Sequence, residues 1–309
     1  MGAWPLWRRE VMVRTSASFL AEYAERARRR IDAALATYTA LGEGCPTLLR
    51  EAIQYAVLAP GKRLRPMLVL MAAEACGGSS EDALPAACAV EMVHAYSLVH
   101  DDLPAMDNDD LRRGQPTCHK RFGEAMAILA GDALLALAFE VVSKHIRPRE
   151  RAAACCAVLA EAAGPCHLVG GQADDITGGL TQGGIEQLES IHRRKTGAMI
   201  LASIRLGALV AEASAQQMEM LQKYGERVGL AFQISDDLLD VQGTQAAMGK
   251  RVRKDADQGK LTYPGLLGVE QSIERARRLI GEACEAIEPF GSRAEGLLAV
   301  AGYVLERNC

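Results

Sequence analysis

Apolar residues recur with the 3.6-residue period of an α-helix along most of this 309-residue chain. Aromatic residues make up only 5% of the sequence, and strands favour aromatic and β-branched residues, whereas helices favour Ala, Leu, Glu, Arg and Met. No period of about 20–50 residues repeats, and no linker divides the chain. The sequence therefore predicts one all-α domain over residues 16–309, a single bundle of about 10–13 helices. A mobile leader is expected over residues 1–15.

Net charge and cysteine content indicate which binding partners and which cellular compartment to expect. The formal net charge is −4, which gives no electrostatic reason to bind nucleic acid or an anionic membrane. The nine cysteines contain no C-x-x-C pair, so we expect free thiols in a reducing cytoplasm. The N-terminus lacks the apolar core of a secretory signal. No stretch of about 18 apolar residues is free of charge, so no membrane span is expected.

Two clusters of aspartates are the strongest signals of function. The first, HDDLPAMDNDD at 100–110, ends a helix predicted over 81–102, where the helix dipole disfavours more negative charge. The second, DDLLD at 236–240, lies in an apolar helix and places Asp236 and Asp240 on one face. Mg²⁺ binds to such carboxylates together with substrate phosphates, so we expect facing clusters that bind metal and a diphosphate. The alternatives are a capping and turn segment and a surface acidic patch.

Groups of basic residues accompany these acids. The segment GKRLRP at 61–66 brings three cations to the start of a predicted helix, and both helix N-termini and Arg or Lys side chains favour phosphate. Further basic groups stand at 112–114, 195–197, 249–250 and 259–260. The P-loop pattern is absent from the sequence. A third acidic pair, Asp174-Asp175, is adequately explained as part of a glycine-rich helix end.

The motifs together resemble those of the trans-prenyl diphosphate synthases and follow the same order. They are GKRLRP, HDDLPAMDNDDLRRG, GGQADD, KTG, FQISDDLLD and GKLTYP. The nearest likeness is to bacterial short-chain farnesyl and geranylgeranyl diphosphate synthases. The resemblance implies the isoprenoid synthase fold, with helices around a deep central cavity, and a homodimer. It also implies head-to-tail condensation of isopentenyl diphosphate with an allylic diphosphate, either dimethylallyl or geranyl diphosphate.

The resemblance further implies a role for each site residue. About three Mg²⁺ ions would be bound by Asp101, Asp102, Asp107, Asp236, Asp237 and Asp240. The allylic diphosphate would be bound by Arg112, Lys195, Lys250 and Lys260. Isopentenyl diphosphate would be bound by Lys62, Arg65, His94 and Arg113, and the reacting carbons would pass Thr196 and Gln233. Catalysis itself is ascribed to Asp101, Asp102, Asp107, Asp236, Lys195 and Arg112.

Product length is expected to depend on the helix that precedes the first cluster. Tyr96 stands five residues before Asp101, about 7.5 Å along the helix axis, and would form the floor of the cavity beside the small Ser97. By analogy with the family, a tyrosine there predicts farnesyl diphosphate, and a small residue predicts geranylgeranyl or longer products. Tyr96 could instead simply pack in the core.

Three other functions are less favoured by the motifs. A class I terpene cyclase or a head-to-head synthase shares the expected fold, but a cyclase usually carries a different second metal motif. Here the second motif is DDLLD, and the basic residues expected for isopentenyl diphosphate are present. A regulatory subunit of a heteromeric synthase would have degraded aspartate motifs, whereas both are intact. The sequence therefore predicts a Mg²⁺-dependent prenyltransferase of the farnesyl diphosphate synthase type.

Overall fold

The computed structural model of the chain describes residues 6–177, 183–242 and 261–306, with backbone alone at 6–17 and at 242. The chain is 79% helical, which confirms the predicted all-α class. Among the described residues, the only strands are the two-residue β1 (Leu111–Arg112) and β2 (Gln115–Pro116), which pair antiparallel. This short hairpin occupies part of the segment that the sequence predicts as a polar loop.

Fourteen α-helices span the described residues, slightly more than expected. They are α1 (Leu6–Tyr38), α2 (Thr47–Val57), α3 (Leu64–Ala75), α4 (Leu84–Asp101), α5 (Cys118–Phe122), α6 (Glu124–His145), α7 (Arg149–Ala163), α8 (Leu168–Ile176), α9 (Ile185–His192), α10 (Ala198–Val210), α11 (Ala215–Gln242), α12 (Tyr263–Leu267), α13 (Val269–Ile287) and α14 (Glu295–Glu306). A π-helical turn, Arg193–Gly197, joins α9 to α10, and a 3₁₀ turn, Glu288–Ala294, joins α13 to α14.

The N-terminal helix starts earlier than the sequence predicts. Helix α1 begins at Leu6 and runs without interruption to Tyr38, so it includes residues 6–15 of the expected leader, whose mobility stays a prediction. The arginine-rich composition of this stretch, which lacks an apolar run, hides its helical character. Arg, Ala and Glu are nevertheless good helix formers, and they recur through α1.

The centre of the bundle consists of α3 and α4, which are buried on nearly every face. A helix that is apolar all round belongs in the core of a large protein. Helix α3 packs against α10, and α4 packs against α6. Gly207 on α10 permits the first contact, because an added Cβ would overlap the carbonyl oxygen of Val69 on α3. The end of α4 and the start of α3 therefore have fixed positions relative to each other.

Two stretches are long and apolar enough to cross a bilayer by length and composition alone. They are α6 and Arg149–Ile176, which contains α7 and α8. Core helices of soluble proteins meet the same criterion, although less than half of the apolar window in each stretch is buried within the fold. The expectation that no segment spans a membrane therefore stays a prediction.

The contact between α3 and α10 can be tested with two glycine substitutions. Gly207→Ala forces a methyl group against the α3 backbone, and overpacking of this kind costs about 1–3 kcal/mol. Gly281 on α13 has nothing within 4 Å of an added Cβ, so Gly281→Ala should raise stability by about 0.5–1 kcal/mol through helix propensity. Urea unfolding followed by circular dichroism measures both. Equal stabilities for the two variants would contradict the close approach of α3 and α10.

Candidate active site

The first aspartate cluster folds back over the end of α4. Asp101 is the last residue of this helix, and the backbone amide of Asp107 donates a hydrogen bond to the Asp101 carbonyl at 2.9 Å. Burial raises the pKa of Asp101 to about 6, with the charge of Lys195 opposing the rise and that of Asp107 adding to it. Two carboxylates in such a setting repel each other, and a bound cation would relieve that cost. A mere capping segment does not account for this arrangement.

Asp102 is bound to Arg112 in a bidentate ion pair. The carboxylate is 3% exposed, and Arg112 Nε lies 3.0 and 2.9 Å from its two oxygens, while Nη2 lies 2.5 Å from Oδ1. The hairpin brings Arg112 back to the helix end, with Arg113 and Gly114 at positive φ in its turn. Bidentate pairs fix the plane of the guanidinium group. Metal binding by Asp102 stays a prediction, but in this structure its carboxylate orients Arg112.

Lys195 lies in the π-helical turn, where the sequence predicts a simple break between two helices. Such turns are rare and occur frequently at functional sites. Lys195 Nζ donates to Asp175 Oδ2 on α8 at 2.5 Å, and the adjacent Arg194 forms an ion pair with Asp174. The third acidic pair of the sequence therefore does more than end a helix, because it binds the basic residues of this turn.

Glycines allow the π-helical turn to contact its neighbours backbone to backbone. A Cβ added to Gly171 on α8 would lie 2.7 Å from the Lys195 backbone nitrogen. A Cβ added to Gly229 on α11 would lie 3.2 Å from the Cα atom of Gly197. The turn is therefore packed between α8 and α11 with no room for side chains at these two points.

The second aspartate cluster lies on α11 and is not a surface patch. Asp237 and Asp240 are only 7% and 9% exposed. Asp237 Oδ2 accepts a hydrogen bond from the Tyr263 backbone amide at 2.9 Å and lies 3.3 Å from His192 Nε2. The His192 ring stacks on the ring of Tyr263. Asp237 therefore ties α11 to α9 and α12.

The residues predicted for isopentenyl diphosphate come from three parts of the chain. Lys62 Nζ donates to the Tyr303 hydroxyl on α14 at 2.8 Å, and Arg113 Nη1 donates to the Pro60 carbonyl at 2.6 Å. Both contacts hold the segment before α3 against its surroundings.

Arg65 and His94 complete this basic group and are held in a desolvated setting. The Arg65 Nε atom is buried and has no hydrogen-bond partner among the described residues. Burial lowers the pKa of Arg65 and lowers that of His94 well below its usual value, and the nearby arginines lower the His94 pKa further. His94 is therefore neutral at physiological pH. An anion would satisfy Arg65, which has desolvated donors.

Two electrostatic interactions link each aspartate cluster to a basic residue on another element. Lys195 lowers the pKa of Asp101 across the gap between the π-helical turn and α4. Asp236 on α11 raises the pKa of Arg65 on α3, although burial of Arg65 outweighs this effect. These interactions therefore bring together, in two pairs, elements that are distant in sequence.

The remaining predicted residues are placed as follows. Thr196 follows Lys195 in the π-helical turn, and Gln233 lies on α11 one turn before Asp236, both half-buried. Lys250 and Lys260 lie outside the described residues. Within the described ranges, no three acidic, histidine or cysteine side chains form a ready-made metal cluster. Mg²⁺ is usually held by one or two carboxylates plus substrate phosphates, so the carboxylates of both clusters fit that ion.

Sequence reasoning passes over several residues that hold the site together. These residues make contacts between different helices, and the spacing of residues in the sequence does not reveal such contacts. One signal was present, because a charged residue within an apolar buried helix is unusual, and Glu91 is such a residue in α4. The residues to which the sequence analysis gives no role in the site are Arg63, Glu91, Asp175, His192 and Tyr263.

Comparisons with known proteins agree with this geometry. A family model described as polyprenyl synthetase matches residues 46–290, which include every predicted site residue. The geranylgeranyl diphosphate synthase of Cyanophora paradoxa is 46% identical over 86% of this chain and 89% of its own. The farnesyl diphosphate synthase of Escherichia coli strain K12 is 48% identical over 84% of this chain and 89% of its own.

Solved structures confirm the expected isoprenoid synthase fold. The geranylgeranyl pyrophosphate synthetase of Pyrococcus horikoshii has a TM-score of 0.83 at 32% identity, over 94% of this chain and 98% of that one. A geranyltransferase from Legionella pneumophila has a TM-score of 0.82 at 34% identity, over 96% of this chain and 98% of that one.

Asp102 either binds the metal or orients Arg112, and titration calorimetry with inorganic diphosphate and Mg²⁺ distinguishes these two roles. If Asp102 orients Arg112, Asp102→Asn should weaken diphosphate binding by about tenfold without changing the Mg²⁺ concentration that binding requires. Asp101→Asn should instead raise the required Mg²⁺ concentration. Asp110→Asn, which removes an exposed pair with Lys120, is the matched control and should change neither. A raised Mg²⁺ requirement in Asp102→Asn would show that Asp102 binds the metal.

Proposed function

Because the chain belongs to the polyprenyl synthetase family of prenyltransferases, we propose that it condenses isopentenyl diphosphate with dimethylallyl or geranyl diphosphate to give farnesyl diphosphate. The observation that carries this proposal is that each aspartate cluster interacts with a basic residue of another element, Asp101 with Lys195 and Asp236 with Arg65. Such an arrangement suits two diphosphates in one site, one of them bound together with a metal.

The allylic diphosphate would bind between the two aspartate clusters. Asp101, Asp107 and Asp236 would hold Mg²⁺, about three ions in all, which supplies Lewis-acid stabilisation of the departing diphosphate. Lys195 would exchange its present carboxylate partner, Asp175, for diphosphate oxygens, while Arg112 would stay bound to Asp102 and offer its remaining N–H groups. Arg112 already has its guanidinium plane fixed by Asp102, so little ordering remains to be done when the substrate binds.

Isopentenyl diphosphate would bind to the second basic group. The buried Nε of Arg65 has no acceptor among the described residues, and the charge of Arg113 acts on Arg65. In the reaction, the allylic C–O bond breaks with its electron pair leaving on diphosphate, and the isopentenyl double bond attacks the allylic carbon. The proton then lost from the new chain would pass to the released diphosphate. Neutral His94 contributes a hydrogen-bond donor without adding charge.

The helix that carries Asp101 also carries the residues expected to limit the product. Four residues separate Ser97 from Asp101, so Ser97 lies about 40° from it around the helix, whereas Tyr96 lies about 140° away. Tyr96 is 7% exposed and meets the His100 ring edge-on at 5.7 Å. Its pKa is raised by burial and also by the charge of Asp101. Tyr96 would therefore narrow the cavity from the side that faces α6, rather than directly beneath Asp101.

Geranylgeranyl diphosphate is a second candidate product. Ser97, the residue that does lie beneath Asp101 on the helix face, is small and leaves room for a longer chain. Relatives with similar identity also include geranylgeranyl diphosphate synthases from Cyanophora paradoxa and from Arabidopsis thaliana. The bulk of Tyr96 favours the shorter product, and the size of Ser97 favours the longer one.

The protein is further proposed to work as a homodimer in the cytoplasm. Ile128 and Leu129 are neighbours on α6 and are 44% and 50% exposed. Adjacent exposed apolar side chains are typical of protein interfaces. The eight described cysteines are all free thiols, as is usual in a reducing compartment. These observations support the proposal together with the family resemblance.

The activity can be tested with labelled isopentenyl diphosphate, Mg²⁺ and, in separate reactions, allylic primers from dimethylallyl to farnesyl diphosphate. We expect dimethylallyl and geranyl primers to be elongated to farnesyl diphosphate, and the farnesyl primer to react slowly. Chromatographic sizing of the dephosphorylated products measures the outcome. Geranylgeranyl diphosphate as the main product would support the second candidate, and no product with any primer would exclude both.

The role of Tyr96 can be tested by changing its volume. Tyr96→Ala should lengthen the main product by at least one isoprene unit, because it removes most of a side chain that narrows the cavity. Tyr96→Phe keeps the ring and loses only the hydroxyl, so its products should match those of the parent. Unchanged products from Tyr96→Ala would show that this tyrosine only packs in the core, provided that the variant unfolds at a similar temperature.

A further inference from the structure

Arg63 lies between two predicted substrate-binding residues but points away from them into the protein. It precedes α3 with left-handed backbone angles, φ 53° and ψ 35°, a conformation that is uncommon outside glycine. Its side chain is 3% exposed. A residue with a strained backbone and a buried charge needs strong compensating contacts. Those contacts indicate what the residue does.

All three nitrogens of the Arg63 guanidinium group are hydrogen-bonded. Nε donates to Asp32 Oδ1 on α1 at 2.8 Å, and Nη1 donates to Glu91 Oε1 on α4 at 2.8 Å. Nη2 donates to the Ala59 carbonyl at 3.0 Å. Arg63 therefore joins α1 and α4 to the segment between α2 and α3, which also carries Lys62.

Glu91 is a buried carboxylate close to several arginines. Its side chain is 4% exposed, and it raises the pKa of Arg63, Arg65 and Arg113. For Arg63, the hydrogen bonds to Glu91 and Asp32 outweigh the lowering of the pKa by burial. For Arg65 and Arg113, burial prevails and the pKa is lowered. Glu91 is thus paired with Arg63, while the other two arginines are only partly compensated.

We propose that Arg63 is a positioning residue for the isopentenyl diphosphate site, an inference that rests on the proposed function. By binding Glu91, Arg63 prevents that carboxylate from pairing with Arg65 or Arg113. Those two arginines then stay ready for the diphosphate. The hydrogen bond to Ala59 fixes the segment that carries Lys62. The Arg63 side chain therefore keeps the neighbouring arginines available for the diphosphate and also holds the backbone of the site in place.

The inference follows from the cost of an unpaired buried charge. A buried carboxylate that loses its cation is strongly disfavoured, and Arg65 and Arg113 already interact electrostatically with Glu91. If Arg63 were removed, Glu91 would draw Arg65 or Arg113 towards itself. A dianion or trianion would then have to displace a carboxylate before it could bind. The allylic diphosphate, which would bind to Arg112 and Lys195, should be little affected.

The test is titration calorimetry with isopentenyl diphosphate alone, in which no turnover occurs, followed by KM for each substrate. Arg63→Met should weaken isopentenyl diphosphate binding on the order of thirtyfold, while KM for the allylic primer changes by less than about threefold. Arg63→Lys keeps the charge beside Glu91 and should lose less affinity. The double variant Arg63→Met with Glu91→Gln should regain most of it, because the competing carboxylate is gone.

Two further variants keep the test decisive. Arg30→Met removes an arginine of α1 that pairs with the exposed Glu81 and should leave binding unchanged. Should Arg63→Met fail to fold, Glu91→Gln alone is informative, because binding at least as tight as in the parent is expected. Weaker binding by Glu91→Gln would overturn the inference.

The possible failures are distinguishable. If the parent elongates primers but the double variant binds isopentenyl diphosphate as weakly as Arg63→Met, the inference is overturned and the proposed function stands. Unchanged binding by a folded Arg63→Met has the same meaning. If the parent binds isopentenyl diphosphate but forms no product, the proposed function fails, and the binding comparison still decides the role of Arg63.

Discussion

Pairing of buried and half-buried charges across helices is the interaction on which the site depends. The bundle gathers several aspartates and arginines at one end, where like charges repel and water is partly excluded. Asp102 binds Arg112, Asp175 binds Lys195, and Glu91 binds Arg63. Because each pair joins two different parts of the chain, the pairs fix the helix ends as well as the charges. The substrate diphosphates would then enter a site in which these ion pairs already orient most of the charged side chains.

The fold could be predicted from sequence because it follows from local patterns. The 3.6-residue period marks α3 and α4 as helices, and their apolar composition marks them as central. The start of α1 was missed because no apolar run signals it, although arginine and alanine are good helix formers. The short hairpin was missed as well, since its two-residue strands are too brief for any alternation of side chains to show.

The site was predicted in outline and not in its internal contacts. Motif order placed Asp101, Asp236 and Lys195 together, and their electrostatic interactions with neighbouring elements agree. What the sequence cannot show is which acid binds which base, because that depends on how helices cross. Asp102 illustrates the point, since its position in the motif suggests a metal ligand and its burial beside Arg112 gives it another task. Similarly, the direction in which Tyr96 projects from α4 depends on its angular position around the helix axis as well as on its distance along that axis.

The backbone contacts at the π-helical turn have a consequence for how a growing chain would be measured. With Gly171 against Lys195 on one side and Gly229 against Gly197 on the other, the turn cannot shift without moving α8 and α11. Only the flexible side chain of Lys195 can adjust. The diphosphate end of a substrate would therefore be held at a fixed origin. If the proposed condensation takes place here, product length would be set by the distance from that fixed position to the far wall of the cavity.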